Sequence, residues 1–176
     1  MGNLIDSFET AFNRLTYFLI SLVAISIGLI ALLIPLNLLL IKSRLGAMWW
    51  LFEGVEYALY AGVFLGAPWV LQQGAHVRVD IFPTSLPGNL THKMEQLLNI
   101  AGSILCLILF VYGLRGAMLE FEDGTLPDKS LRIYNWIILT VFSFSFSLLA
   151  IEFLLRFRRA RKIVEGEKNA AKESRF

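Results

Sequence analysis

Four long apolar runs, 15–41, 49–71, 97–119 and 133–155, dominate the chain, with short polar segments between them. A hydrocarbon core about 30 Å thick takes roughly 20 helical residues to cross, and each run is long enough. The first carries no charge and is flanked by Arg14 and Lys42. The second opens on Trp49-Trp50, an aromatic pair suited to the membrane interface, and holds Glu53 and Glu56 near its start. Arg115 lies late in the third run and Glu152 late in the fourth. The pattern predicts an all-α integral membrane protein, one membrane domain over 1–176 with four transmembrane helices.

Before the first run, Leu4, Ile5, Phe8, Phe12 and Leu15 recur at helical spacing, with Asp6, Ser7, Glu9, Thr10 and Asn13 between them. This predicts an N-terminal amphipathic lead-in helix, lying on the membrane surface or extending span one. The run that follows is about twice the length of a signal peptide's apolar core, and no small-residue cleavage site succeeds it, so it is read as a span. After the second run the period changes. His76, Val77, Arg78, Val79, Asp80 and Ile81 alternate, and an extended backbone places the polar three on one side and the apolar three on the other. Such a segment is expected to pack against a surface; the competing reading is a local salt bridge in a surface turn. Pro83 and Pro87-Gly88 then break the chain, and Asn89 or Thr91 can cap a helix leading into span three.

Composition agrees with this layout: 56% of residues are hydrophobic and 17% charged, with a mean hydropathy of +0.63. The net charge of +2 is unevenly spread, because eight of the sixteen Lys and Arg lie between Arg156 and Arg175. That basic tail, 156–176, follows an apolar segment and is interrupted by Glu165, Glu167 and Glu173, which does not suit a nucleic-acid-binding face. Anionic membrane lipid is its expected partner. With four crossings, Arg14, Arg78, Lys93 and the eight tail residues share one side, against Lys42, Arg44, Lys129 and Arg132 on the other. The positive-inside rule then places both termini, and the 76–81 segment, in the cytoplasm.

Candidate chemistry is sparse. Gly54, Ala58, Gly62 and Gly66 form a small-residue stripe on one face of span two, which lets another helix approach closely. We read it as a packing surface, for a helix of this chain or of a partner subunit. Weaker pairs, Gly102 with Cys106 and Gly113 with Ala117, mark span three, and Ser143 and Ser147 share a face of span four. Glu53, Glu56 and Arg115 are intramembrane charges near one interface; they either pair between helices or line a path for ions or solute. Glu152 precedes Arg156 at the i, i+4 spacing that favours an ion pair. No phosphate-binding loop, GxSxG, HExxH or CxxC is present, so no catalytic residue and no enzyme activity is expected. His76 and His92 both lie in a connection, which leaves no axial pair for a haem anchor, and His76 with Asp80 is too few ligands for a metal site. The lone Cys106 permits no intrachain disulfide.

The stretch WWLFEGVEYALY, then VFLGAPW, then GAHVRVDIF resembles the small membrane subunit, the Q or DctQ component, of tripartite ATP-independent periplasmic (TRAP) transporters. The resemblance covers essentially the whole chain and is most specific over 49–82. It carries over to Glu53 and Glu56 in span two and to Gly74, His76, Arg78, Val79 and Asp80 in the connection; Gln72-Gln73 stands where a basic residue is frequent. It implies a scaffold subunit in the bacterial inner membrane, without a cofactor of its own. In such systems a periplasmic substrate-binding protein delivers an organic acid, and a large membrane subunit carries it by sodium-coupled symport. The alternative reading is a self-contained small transporter or channel formed by homo-oligomerisation. A quinone-reactive enzyme anchor is a third, which the histidine positions disfavour.

Overall fold

The computed structural model describes residues 2–73, 88–124, 126–129 and 131–173. They form four helices and, among the described residues, no strand: α1 (Gly2–Lys42), α2 (Leu51–Gln72), α3 (Gly88–Asp123) and α4 (Asn135–Glu173). All four are long and apolar enough to cross a membrane. Helix is a form in which such apolar runs can cross lipid, because, prolines apart, it pairs the interior backbone groups within the segment. The 22 residues of α2 span about 33 Å, whereas the 41 of α1 and 39 of α4 reach roughly 60 Å, well beyond the hydrocarbon. The lead-in is helical and continuous with span one, so it extends that span instead of forming a separate element. Likewise α4 continues through most of the basic tail.

Backbone chemistry sets the ends. At the close of α1, Arg44 N–H donates to Ile41 O and Leu45 N–H to Leu40 O, both at 3.1 Å, with Arg44 in the left-handed region at φ 55°. This is a Schellman ending, with an arginine where glycine is usual. The buried Asn37 then accepts from Met48 N–H at 2.8 Å, drawing the chain back over α1 before α2 begins. Gly124, at φ 60°, ends α3 by donating to Glu120 O at 3.1 Å.

Side-chain contacts give the order across the bundle as α1, α2, α4, α3. Val23 meets Gly62 and Ile20 meets Gly66, so α1 and α2 are antiparallel; Ser143 meets Gly113 and Phe153 meets Gly102, so α4 and α3 are too. Helices α2 and α4 run parallel. At one end α4 also reaches α1, where Arg159 bonds Glu9 at 2.6 Å, so the start of α1 and the far part of α4 share one side. Two small cores lie towards that side: Phe12, Leu19, Leu148 and Leu155, and Leu71, Cys106, Leu149 and Ala150. Most of the large apolar residues elsewhere are exposed, as lipid-facing surfaces should be.

Candidate functional site: a polar seam along α4

A line of polar contacts runs down the face that α4 turns to α2. Tyr60 OH donates to Ile138 O at 3.3 Å, Ser145 Oγ donates to Phe64 O, and Gln72 Nε2 donates to Glu152 Oε2 at 3.1 Å. Arg159 extends the line, its Nη1 lying 3.4 Å from Glu152 Oε1 and its Nε 2.6 Å from Glu9 Oε1. The α4 positions 138, 145, 152 and 159 recur every seven residues, and the α2 positions 60, 64 and 72 fall at multiples of four. These are the intervals at which a helix returns to the same face.

The lower end of this seam is a closed network. The Gln72 amide donates to Asn13 Oδ1 at 3.3 Å as well as to Glu152, while its oxygen accepts from Thr16 Oγ1 at 3.0 Å. One side chain therefore ties α1, α2 and α4 together. Glu152 is fully buried, and a buried carboxylate is tolerable only when hydrogen-bonded and paired. The Gln72 amide and Arg159 meet both conditions. Its ion-pair partner is Arg159, not Arg156 four residues on: two full turns bring position 159 back to the seam, and Glu9 of α1 draws the guanidinium there.

The small residues sort into two surfaces. A Cβ on Gly62 would lie 3.3 Å from Val23, and on Gly66 3.4 Å from Ile20, so the helix facing this part of the stripe is α1 of the same chain. Gly54 faces the Trp50 ring instead, and Ala58 is half-buried. The closer approach is on α3. A Cβ on Gly102 would fall 2.7 Å from the Phe153 ring, and on Gly113 2.5 Å from Ser143 Oγ and 2.8 Å from Phe142. Ser103, Cys106 and Ala117 are buried on the same face of α3. The pairs that looked weaker in the sequence thus form the tightest seam.

At the opposite end the span-two carboxylates find loop partners. Glu53 accepts from Leu131 N–H, and Glu56 pairs with Lys129 at 2.7 Å; that ammonium also sits 5.3 Å from the centre of the Tyr57 ring. The Glu56 hydrogen bond raises the Lys129 pKa above the ordinary lysine value, with some opposition from desolvation. Arg115 is exposed and has no ion pair among the described residues. Since α3 packs chiefly on α4, Arg115 is carried away from the start of α2. Asn135 and Trp136 close the same end, the former donating to Glu120 at 3.3 Å and the latter meeting Phe121 edge-on at 5.5 Å. Gly74, His76, Arg78, Val79 and Asp80 lie outside the described residues. No three His, Cys, Asp or Glu among the described residues are placed to hold a metal ion.

Sequence reasoning singled out Glu152 but missed Tyr60, Ser145 and Arg159 as its neighbours along the seam, and Asn13 and Thr16 as partners of Gln72. The usable signal was a polar residue every seventh position, Ser145, Glu152 and Arg159, in and beyond an otherwise apolar run.

Among the described residues the seam joins helices: its polar groups bond across α1, α2 and α4. Fold and seam define a multi-pass helical membrane protein. Residues 38–162 match the family described as tripartite ATP-independent periplasmic transporters, DctQ component. The chain belongs to that family and is a TRAP transporter component. No curated protein and no solved structure matches it.

Proposed function

We propose that this chain is the non-transporting scaffold subunit of a TRAP system. It associates with a large membrane subunit that performs sodium-coupled uptake of an organic acid delivered by a periplasmic binding protein. The observation that carries this reading is the family match over 38–162, which takes in spans two, three and four. The seam supports it: the polar side chains along it are engaged with one another or with backbone carbonyls of the facing helix, a pattern that favours a fixed frame over a path for solute. Carriers instead build midplane sites from broken helices and unwound backbone. The excess of Lys and Arg on one side supports an inner-membrane orientation with both termini cytoplasmic.

Co-expression with a large TRAP membrane subunit from the same organism tests the proposal. The two should co-purify, and vesicles holding only this chain should show no uptake, while vesicles holding both, supplied with the binding protein and a sodium gradient, accumulate substrate. Accumulation by this chain alone would select the homo-oligomeric transporter instead. Within the complex, Arg78→Ala with Asp80→Ala is expected to lower uptake by loosening the subunit contact; uptake at the parental rate removes that segment from the mechanism.

A further inference from the structure

Helix α2 carries a buried proline, Pro68, inside its length. Proline has no N–H, so the carbonyl four residues earlier, that of Phe64, loses its helical donor. In lipid no water replaces it, and an unsatisfied carbonyl is costly. The Phe64 oxygen nevertheless has a donor: the hydroxyl of Ser145, from α4. Ser145 is fully buried and faces the proline break from the neighbouring helix. One turn beyond Pro68, Gln72 is held by Glu152, seven residues beyond Ser145 on the same face of α4. Two consecutive contacts from one helix therefore bracket the place where the other has lost its own hydrogen bond.

We propose that Ser145 is a latch for the proline break in α2, and that Ser145 and Glu152 together are positioning residues that seat the segment 69–73 on α4. The final turn of α2 is then fixed by its neighbour as much as by its own helical bonds, and α4 sets the direction in which the chain leaves the membrane towards residue 74. The consequence for partner docking rests on the scaffold reading above; the latch does not.

The claim is an energetic coupling between Ser145 and Pro68, and the full chain in detergent micelles can test it. Amide hydrogen exchange is followed over residues 65–73 in the parent, Ser145→Ala, Ser145→Thr, Pro68→Ala and the Pro68→Ala, Ser145→Ala double variant. Ser145→Ala should speed exchange there by at least about fivefold, the effect of leaving one buried carbonyl unsatisfied. Ser145→Thr, which keeps the hydroxyl, should stay near the parent. With Pro68→Ala, residue 68 regains an N–H for the Phe64 carbonyl, so Ser145→Ala should then change little. If Ser145→Ala alone does not fold, recovery of folded chain in the double variant supports the latch equally. Equal acceleration by Ser145→Ala with and without Pro68, or none in either, overturns it. Because the measurement uses the chain alone, it fails or succeeds independently of co-purification with the large subunit, which judges the scaffold reading.

Discussion

Helix α4 is bound on its two sides by different physics. Towards α3 it meets Gly102 and Gly113, positions where an added methyl would collide with Phe153, Phe142 or Ser143. Towards α2 it offers Ser145 and Glu152, and receives the hydroxyl of Tyr60. Helices in lipid gain little from hiding apolar surface from one another, since the tails are equally apolar; close packing and hydrogen bonds remain. The protein uses one on each side of the same helix. The α3 seam should tolerate loss of polarity but not gain of volume, and the α2 seam the reverse.

The largest effect is expected from Gly113→Leu or Gly102→Leu. Neither the backbone of α3 nor the rings of α4 can yield room for an isobutyl group, so the helices must part, at about 3 kcal/mol or more. Folded chain in detergent, followed by size-exclusion chromatography of a fluorescent fusion, should largely disappear. A monodisperse peak at parental yield would mean that the α3 seam is not tightly packed.

Next comes Glu152→Ala. It strips the Gln72 amide and Arg159 of their shared acceptor, and breaking a buried charged pair typically costs about 3–5 kcal/mol. Arg159 is 40% exposed and keeps Glu9, so roughly 2–3 kcal/mol is the better expectation. The thermal midpoint in micelles should fall clearly, while Glu152→Gln, which keeps an acceptor and the volume, should recover a good part of it. Equal loss from both variants would indicate that packing, not polarity, holds this seam.

How far the sequence could foresee this contrast depends on the kind of signal. The four spans were legible because each is a run of apolar residues long enough for the bilayer, and that signal needs no knowledge of neighbours. Helix order was not, because in lipid an outward face and an inward face are both apolar and periodicity loses its contrast. The stripe Gly54, Ala58, Gly62 and Gly66 stood out by number, yet number says nothing about what faces it; Gly102 and Gly113 are fewer and closer. Ser145 was passed over because a lone serine in an apolar run also bonds readily to its own helix, as Ser143 does with Leu139 O at 2.8 Å. The signal that bears on Ser145 is Pro68, which, four residues past Phe64, marks a carbonyl in need of an outside donor.

Gly62→Ala sharpens the comparison at smaller scale. Its Cβ would sit 3.3 Å from a Val23 methyl, a contact that a few tenths of an ångström of movement relieves, so the cost should stay below about 1 kcal/mol. Gly62→Leu should cost more, and the loss should show in the isolated chain, because the facing helix is its own α1. A Gly62→Leu chain that is stable alone yet fails to join the large subunit would instead assign this part of the stripe to a partner.

The smallest effect belongs to the Glu56–Lys129 pair, which ties the loop before α4 to the start of α2 outside both seams. The two side chains are 35% and 61% exposed, so water and salt screen their attraction. The Lys129 pKa is raised by its hydrogen bond to Glu56, which means that the folded state holds this proton more tightly than the unfolded one. The contribution is therefore complete below the ordinary lysine pKa and is lost as the pH climbs through the raised value. Lys129→Met should leave the thermal midpoint near the parent's at neutral pH, and should flatten whatever decline the parent shows at strongly alkaline pH. A large loss at neutral pH would place this end of the bundle, and not α4's two seams, at the centre of its stability.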